Sequence, residues 1–328
     1  MWFEVTVLSA ATALVLEAAV GYPPMVHRAI AHPVVWIGAM IGRLDQRFNR
    51  VTLPDGVRRL NGILVLFAVV AAASFPAIFI QYLALILISP LAAALLLGFL
   101  AATLLAQRSL AEHVAAVARS LEDGGLIEAR AAVAHIVGRE TDPLDQSGVA
   151  RAAIESLAEN FSDGVVAPIF WATWLGLPGI AAFKAINTAD SMIGHRTKRH
   201  RDFGWAVARF DDLVNLPASR LTAIWLVLAA AITPGARAID ALRAVLRDAR
   251  KHESPNAGWP EAAMAGALGF RLGGPRRYAG RTTEGAWMGS ARSKLDAADI
   301  RHALRLYYIA CLIQVFAVGL AAALIIRI

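Results

Sequence analysis

The chain has 328 residues, of which 57% are hydrophobic and 17% charged, and its mean hydropathy is +0.54. This composition excludes an ordinary soluble domain and predicts an integral membrane protein. The formal net charge is +7, and the sequence shows no nucleic-acid-binding motif, so we expect the basic residues to meet lipid headgroups or anionic substrates and not DNA or RNA.

Six apolar segments organise the chain, at about residues 5–20, 63–80, 83–105, 165–186, 221–232 and 303–326. We predict an all-α, polytopic integral membrane protein with four to six transmembrane or re-entrant helical segments and large cytoplasmic helical loops, forming one membrane-embedded domain over residues 1–328. The first segment is expected to be retained, because the amino terminus lacks the basic leader of a secretory signal. Polar loops predicted to carry the chemistry cover residues 107–163, 184–220 and 234–301.

The first long polar loop ends in acidic side chains. Residues at helical spacing there are Arg151, Glu155, Glu159 and Ser162, with Asn160 and Asp163 close by. One interpretation is a solvated helix face with an ion pair between Arg151 and Glu155. The other is a functional site at the membrane boundary, because an apolar segment begins directly after Asp163.

The stretch at residues 184–220 is the densest run of chemically capable side chains. Its candidates are Asn187, Asp190 and Ser191 at i, i+3 and i+4, a basic cluster of Arg196, Lys198, Arg199, His200 and Arg201, and then Arg209, Asp211, Asp212, Asn215 and Arg220. Carboxylates hold Mg²⁺ and cations hold phosphate oxygens, so the pattern indicates a nucleotide site with its metal. The alternative for the basic cluster is a cytoplasmic membrane anchor.

The adjacent carboxylates Asp211 and Asp212 favour function over anchoring. Neighbouring side chains on a helix point about 100° apart, so at least one of the pair faces protein. An uncompensated buried carboxylate is costly, which favours a functional role for this pair.

The apolar segment 165–186 is interrupted by Pro168 and by Pro178 with Gly179. It fits a kinked span, two half-helices or a re-entrant pair. If it crosses fully, the basic stretch after it lies outside the cell, against the positive-inside rule. We favour partial insertion of this segment and of residues 221–232, because nucleotide chemistry needs access to the cytoplasm.

The last polar loop contains SPNAGWPE, at residues 254–261. Ser254 or Asn256 suits a helix cap, and Glu261 begins a helix of small residues. Gly273 and Gly274 then precede two arginines, which is consistent either with a phosphate cradle or with tight backbone packing.

Four segments in the same order resemble the CobD or CbiB family of cobalamin-biosynthesis membrane proteins, the adenosylcobinamide-phosphate synthases. They are ESLAENFSDGVVAPIF (155–170), NTADSMIGH (187–195), FGWAVARFDDLVNLPASRL (203–221) and SPNAGWPEAAMAGALG (254–269). The likeness runs nearly end to end and includes HPVVWIG at residues 32–38.

This resemblance implies an ATP- and Mg²⁺-dependent ligase that joins a propionate of adenosylcobyric acid to the amine of 1-aminopropan-2-ol or its O-phosphate. It implies Mg²⁺-nucleotide binding by Asp190, Asp211 and Asp212, phosphate binding by Lys198, Arg209 and Arg220, a base at Glu155 or Glu159, and substrate orientation by Asn160, Asn187 and Asn256. Further candidates are Asp163 and Asp190 for catalysis and Ser191, Asn215, Ser254 and Glu261 for binding. The chain has no GxxxxGK[ST] loop, so the expected ATP site is not a P-loop.

The expected partners are the corrinoid, the aminopropanol or its phosphate, the lipid bilayer and other enzymes of the cobalamin pathway. The expected location is the cytoplasmic (inner) membrane, multi-pass, with the active site facing the cytoplasm. Two alternatives stay open, an AmpE-like regulatory protein and a corrinoid transporter. The retained polar motifs argue against the first, and the absence of an internal repeat argues against the second.

Overall fold

A computed structural model describes residues 2–22, 32–195, 197–278 and 281–326. In chain order the helices are α1 Trp2–Val20, α2 Pro33–Phe48, α3 Asp55–Leu87, α4 Pro90–Ala102, α5 Gln107–Arg119, α6 Leu126–Ala134, α7 Gln146–Phe161, α8 Ala167–Leu175, α9 Leu177–Ile193, α10 Trp205–Ile232, α11 Ala238–Asp248, α12 Gly258–Leu268 and α13 Ala297–Ile326. Five-residue π-helical turns occupy Ser120–Gly124 and Ser162–Val166, and a 3₁₀ turn occupies Ala249–Lys251. Short antiparallel pairs join β1 Leu272–Gly273 to β4 Trp287–Met288 and β2 Arg276–Tyr278 to β3 Arg281–Thr283.

Within the described residues, five helices are long and apolar enough to cross a membrane. They are Trp2–Val20, Asp55–Leu87, Pro90–Gly124, Trp205–Ile232 and Ala297–Ile325, where the third combines α4, α5 and the π-helical turn after α5. The prediction of an all-α polytopic membrane protein is therefore confirmed. The chain folds into two compact units, one made of Met1–Leu105, Ala167–Asn215 and Ala317–Ile328 and the other of Ala106–Val166 and Leu216–Phe316.

The connection between the second and third apolar segments lies further along the chain than the sequence indicates. Helix α3 continues through residues 81–82, where we expected the connection, and ends at Leu87; α4 begins with Pro90 after the cap residue Ser89. Gln81 does not interrupt α3, because its side chain is buried and its Oε1 accepts the Leu177 N–H at 2.9 Å. A buried polar side chain that is hydrogen-bonded does not carry the desolvation cost of an unsatisfied one, so the helix can continue through Gln81.

The interrupted segment 165–186 forms two helices, α8 and α9, as in the half-helix alternative. The break lies at Gly176, whose φ of +70° is favourable for glycine. A Cβ at this position would lie 2.1 Å from Gln81 Oε1, so the same glutamine requires a glycine at the break. Pro178 follows in the first turn of α9, where a missing N–H costs nothing.

The apolar segment at residues 221–232 is the second part of a longer helix. Helix α10 begins at Trp205, and α9 reaches Ile193, so most of the stretch 184–220 is helical and not a loop. Apolar patterning missed this start because polar residues interrupt it. Two of these, Asp211 and Asn215, are buried one helical turn apart.

The core of the first unit orients the polar face of α9. Ala185, Ile186, Ala189 and Ile193 pack with Val65 and Val69 of α3, Ile41 of α2, and Phe203 and Val207. This spacing leaves Asn187 and Asp190 on another side of α9. Gly62 permits the packing, since a Cβ there would lie 1.8 Å from the Phe203 carbonyl oxygen.

The second unit has its own core around α7. Val149, Ile154, Leu157 and Phe161 are fully buried. The Phe161 ring meets the Tyr307 ring edge-on at 5.0 Å, and the Tyr307 hydroxyl donates to the Gln107 carbonyl at 2.7 Å. These contacts join α5, α7 and α13.

Candidate functional site

The first unit brings five predicted residues together, which we call the aspartate cluster: Asn187, Asp190, Asp211, Asp212 and Asn215. Asp211 is its centre and is only 8% exposed. Its Oδ2 accepts a 3.0 Å hydrogen bond from Asn215 Nδ2, and the Asn187 side chain hydrogen-bonds to the same carboxylate. Asp190 and Asp212 lie close enough to repel its charge.

The other Asp211 oxygen, Oδ1, is buried and has no hydrogen-bond partner among the described residues. Buried polar atoms are normally satisfied, and an exception calls for a physical explanation such as a bound ion or water. Repulsion from two nearby carboxylates increases the cost of the Asp211 charge, and a cation would offset both effects.

A glycine shapes the position of Asp190. A Cβ on Gly194 would lie 1.9 Å from Asp190 Oδ1 and 2.7 Å from its Cγ. Gly194 has φ −75°, so ordinary backbone geometry does not require glycine there. The glycine therefore provides space for the Asp190 carboxylate.

The donor set fits a magnesium ion. Among the described residues no three His, Cys, Asp or Glu side chains form a ready metal-binding group, so the three aspartates do not converge as such a set. Mg²⁺ usually binds through one or two carboxylates, water and substrate phosphates, and amide oxygens are acceptable ligands of hard cations. Asp211 and Asp190 with the two asparagine side chains match that pattern.

The basic cluster after α9 is largely held by the protein itself. Arg199 Nη2 lies 2.7 Å from Asp45 Oδ2, and His200 Nε2 lies 3.3 Å from Asp45 Oδ1. Burial alone would raise the pKa of the Asp45 carboxyl, but the hydrogen bonds from Asn49 and Arg199 outweigh it and the pKa is lowered. These contacts fix the loop to α2, so Arg199 and His200 serve protein structure and are not oriented toward the aspartate cluster.

The other predicted residues of this region stand apart from the aspartate cluster. Lys198 and Arg209 are exposed, and their side chains meet no acidic partner in the described parts of the chain. Ser191 is exposed and its hydroxyl donates to the Asn187 carbonyl of its own helix at 2.9 Å. Arg196 lies outside the described residues.

The second unit contains a separate polar group, the arginine site, formed by Ser219, Arg220, Asn256 and Trp259. Arg220 Nη1 donates to Asn256 Oδ1 at 2.9 Å, to Ser219 Oγ at 2.9 Å and to the Leu216 carbonyl at 3.1 Å. Its guanidinium carbon lies 4.5 Å from the Trp259 ring centroid. All these partners are neutral, so the arginine is oriented while its charge is not cancelled.

A second cation lies near the arginine site. Arg250 is exposed, and its charge is close enough to Arg220 to repel it. Neither guanidinium has a carboxylate partner among the described residues. Two adjacent, uncompensated guanidiniums favour an anion such as phosphate.

The motif SPNAGWPE builds the turn that presents Asn256. Ser254 Oγ accepts from the backbone N–H groups of Asn256 and Ala257, both at 3.2 Å. His252 Nδ1 accepts the Ser254 N–H at 3.0 Å, so the neutral ring carries its proton on Nε2. That Nε2 lies 3.7 Å from Oε1 of the fully buried Glu261, an electrostatic contact longer than a hydrogen bond. Ser254 and Glu261 therefore support this turn.

Glu155 is engaged on both oxygens. Oε2 accepts from Arg139 Nη2 at 2.9 Å and Oε1 accepts the Gly273 N–H at 2.6 Å. Gly273 has φ +80°, and a Cβ there would lie 2.5 Å from the Ala286 carbonyl oxygen. Gly274 donates its N–H to that same carbonyl at 3.2 Å. Both glycine N–H groups are used internally, which favours the packing explanation over a phosphate cradle.

The other candidates predicted at the end of the first long polar loop are Glu159, Asp163 and Asn160, and they differ in their surroundings. Glu159 is exposed and Asp163 is half-buried in the π-helical turn. Asn160 Nδ2 donates to the Ser156 carbonyl at 2.9 Å and to Ser156 Oγ at 3.1 Å, so its amide is tied to its own helix.

Sequence reasoning missed five residues of these sites: Arg139, Ser219, Arg250, His252 and Trp259. Trp259 and Ser219 lie inside quoted motifs, and an aromatic ring or hydroxyl beside a dense polar set was an available signal. Arg139 and Arg250 belong to no periodic pattern, because their partners lie 16 and 30 residues away.

Comparison with known proteins supports one family. The family described as "CobD/Cbib protein" matches residues 10–307. A protein named "Cobalamin biosynthesis protein CobD" from Rhodobacter capsulatus is 49% identical over 312 residues, covering 95% of this chain and 96% of its own. Proteins of the same name from a Sinorhizobium species and from Brucella suis biovar 1 are 47% and 46% identical, covering 95% and 93% of this chain and 96% and 93% of their own. No solved structure matches. The chain therefore belongs to the CobD/CbiB family.

Proposed function

We propose that this protein acts in cobalamin biosynthesis as an ATP-dependent acid–amine ligase. It joins a propionate carboxylate of adenosylcobyric acid to the amine of 1-aminopropan-2-ol or its O-phosphate, giving adenosylcobinamide or its phosphate. Relatives named for cobalamin biosynthesis that cover 95% of the chain support the pathway. The observation that carries the chemistry is the buried Asp211 carboxylate with one unsatisfied oxygen beside Asp190.

The reaction needs an activated carboxylate. A propionate is a poor acyl donor, because its oxygen is a poor leaving group. Transfer of the γ-phosphoryl group of ATP onto that oxygen gives an acyl phosphate and releases ADP, and the amine then attacks the acyl carbon. The C–N bond forms, the C–O bond breaks, phosphate leaves with the carboxylate oxygen, and the nitrogen loses a proton to a base.

The aspartate cluster would hold the metal of the nucleotide. Asp211 and Asp190 supply carboxylate oxygens, and Asn187 and Asn215 hold the Asp211 carboxylate in place. Mg²⁺ bound there would neutralise phosphate charge during phosphoryl transfer. Asp212 adds negative charge next to the same site.

Cationic side chains would hold the phosphates of the substrates. Arg220 is oriented by Asn256 and Trp259 and has Arg250 as a neighbour, while Lys198 and Arg209 are exposed and without acidic partners in the described chain. Preoriented cations stabilise the charge that develops in such a reaction. We assign phosphate binding to these four residues.

For the base we favour Glu159 over Glu155. Both Glu155 oxygens already accept hydrogen bonds, one of them from a buried arginine, so the carboxylate is engaged in the fold. Glu159 is exposed, so the amine substrate can reach its carboxylate. Glu155 then serves to position the Gly273 turn.

We place the site in the cytoplasmic membrane with access from the cytoplasm, because that compartment supplies ATP. The arginine-rich loops, at residues 43–59, 197–201 and 271–294, support this placement. A cytoplasmic location for the last of them also requires that α10 enter the membrane without crossing it, because five full crossings would put that loop on the opposite side from the other two.

Mass spectrometry of reaction products tests the proposal. Purified native protein receives adenosylcobyric acid, Mg·ATP and either the free or the phosphorylated amine, beside the variant Asp211→Asn and a matched control, Glu112→Gln, at an exposed ion pair with Arg108. We expect amide from the native and control proteins and at least about 100-fold less from Asp211→Asn. Amide from all three would contradict the metal assignment, and no amide from folded native protein would contradict the ligase.

A further inference from the structure

Helix α11, Ala238–Asp248, packs against the protein through small side chains. Ala241 and Ala244 are buried at 0% and 2% exposure. They meet α12 at Gly266, where a Cβ would lie 2.4 Å from the Asp240 carbonyl oxygen and 2.6 Å from Ala244 Cβ. The close approach of the two backbones therefore uses the alanine face of α11.

The isoleucine and the two leucines of the same helix face outward, while Val245 is buried. Ile239, Leu242 and Leu246 are 66%, 49% and 75% exposed. They stand at i, i+3 and i+7, so they form one continuous stripe. A helix whose outer face met only water would carry polar residues at these positions.

Basic residues accompany this aliphatic stripe. Arg243 lies one helical turn from Ile239, and Arg247 one turn beyond it, on the edge of the stripe. Arg243 pairs with Asp240 at 3.4 Å and Arg247 with Asp248 at 2.6 Å, so the surplus of cations over these two carboxylates is the charge that remains for headgroups. The segment from residue 237 to 251 carries five cations against two carboxylates, a net charge of +3: Arg237, Arg243, Arg247, Arg250 and Lys251 against Asp240 and Asp248. An apolar stripe edged by arginines is typical of a helix that lies in a membrane interface.

The helix also starts beside a candidate membrane span. Only residues 233–237 separate it from α10, a link of about 20 Å at full extension. The link is held by the Pro234 carbonyl 3.1 Å from His302 Nε2, and by the Arg237 N–H, which donates to the Ala267 carbonyl at 2.8 Å. The last turns of α10 expose Leu228 and Ile232, as expected for side chains that contact lipid.

We propose that α11 lies in the membrane–water interface, with Ile239, Leu242 and Leu246 inserted at the headgroup–acyl boundary and its arginines against anionic phospholipid headgroups. Three side chains provide far less than the roughly 800 Å² per partner of a standard protein interface, which favours lipid over a second copy of the chain. This function of α11 is independent of the ligase chemistry, so either proposal can fail alone.

A lipid-quenching measurement tests the inference on the full chain in nanodiscs holding one protein each. In a Cys311→Ser background, which removes the chain's one cysteine, an environment-sensitive fluorophore is attached through Leu246→Cys, with Asp142→Cys in an exposed loop as the matched control. For the dye at residue 246 we expect blue-shifted emission and quenching by lipids that are brominated near the headgroup. For the dye at residue 142 we expect neither. We also expect stronger quenching when phosphatidylglycerol is present, and less of that gain with Arg243→Gln.

Three results would overturn the inference. Emission at position 246 like that of a water-exposed dye would show that the stripe is not inserted. Water-like emission with one protein per disc, together with shielding that appears only in discs holding two proteins and that brominated lipid does not quench, would assign the stripe to a second copy of the chain. Quenching that is indifferent to phosphatidylglycerol would exclude the headgroup contact of the arginines.

Discussion

At the scale of single residues, Gly194 is the position where a small change tests the aspartate cluster without removing a carboxylate. The variant Gly194→Ala places a Cβ where Asp190 Oδ1 now lies and displaces that carboxylate. We expect an increase of about 10-fold in the Mg²⁺ concentration needed for half-maximal activity. Alanine suits the φ of this position, but its Cβ would also lie 2.8 Å from the Asp190 carbonyl oxygen, so we expect a small loss of thermal stability.

The measurement is a Mg²⁺ titration of amide formation together with a thermal unfolding curve. Gly56→Ala is the matched control, because no atom lies within 4 Å of a Cβ at that position. An unchanged Mg²⁺ requirement in Gly194→Ala would remove Asp190 from the proposed metal site.

Glu155 tests whether a predicted catalytic residue is a structural one. Its pairing with Arg139 is buried, with side-chain exposures of 5% and 9%. The variant Glu155→Gln leaves the arginine charge without its counter-ion, and we expect a loss of about 3 kcal/mol in the free energy of unfolding. Combining it with Arg139→Gln should cost less than the two single losses together.

Denaturant unfolding of the three variants in detergent measures this coupling. If Glu155→Gln keeps the native free energy of unfolding but forms no amide, Glu155 would be the base after all.

The face shared by Asn187 and Asp190 was predictable from residue spacing, and so was a buried carboxylate at the Asp211–Asp212 pair. The contact between Asn187 and Asp211 was not, because it depends on how α9 and α10 pack. The Glu155 pairing was missed for the same reason, since Arg139 lies 16 residues away in an irregular segment.

At the scale of elements, Asp248 fastens the end of α11 to neighbouring segments. It accepts hydrogen bonds from Arg247, Lys251 and the Gly289 N–H at 2.6 to 3.0 Å. Burial alone would raise the pKa of the Asp248 carboxyl, but these hydrogen bonds outweigh it and lower the pKa to about 2.

This low pKa predicts how stability depends on pH. Because the pKa is lower in the folded protein than the usual 3.8, the contribution is complete above the unfolded value and is lost as the pH falls from about 5 toward 2. It amounts to at most about 2 kcal/mol, since its cationic partners are half-exposed. Unfolding curves between pH 6 and pH 3 should converge for native protein and Asp248→Asn; a constant gap between them would contradict the assignment.

Element boundaries show where apolar patterning fails. The first span was predicted to within three residues, because Glu17, the one charged residue of the predicted segment 5–20, lies near its end. Polar residues of α10 and Gln81 interrupt the apolar pattern, yet they are buried inside helices. Gln81 accepts a hydrogen bond from Leu177 of α9. Asp211 is bonded by Asn215 of its own helix and by Asn187 of α9. Sequence periodicity contains no information on such partners.

At the scale of the whole molecule, the side of the membrane occupied by the arginine-rich loops stays a prediction of the positive-inside rule. Thr52, Thr197 and Lys294 are exposed residues in three of these loops. Each is replaced in turn by cysteine, as Thr52→Cys, Thr197→Cys or Lys294→Cys, in the Cys311→Ser background. We expect an impermeant maleimide added to intact bacterial cells to label none of them, and to label all three after the membrane is permeabilised. Labelling of any position from outside would reverse the predicted side of that loop.

The central claim, that ATP activates the corrinoid carboxylate, is tested most directly by oxygen transfer. Adenosylcobyric acid labelled with ¹⁸O in the reacting propionate is converted with ATP and the amine, and the released phosphate and adenine nucleotide are analysed by mass spectrometry. The account predicts amide with one ¹⁸O atom in inorganic phosphate per turnover, because the carboxylate oxygen leaves with the phosphoryl group. Amide formed with unlabelled phosphate would contradict it.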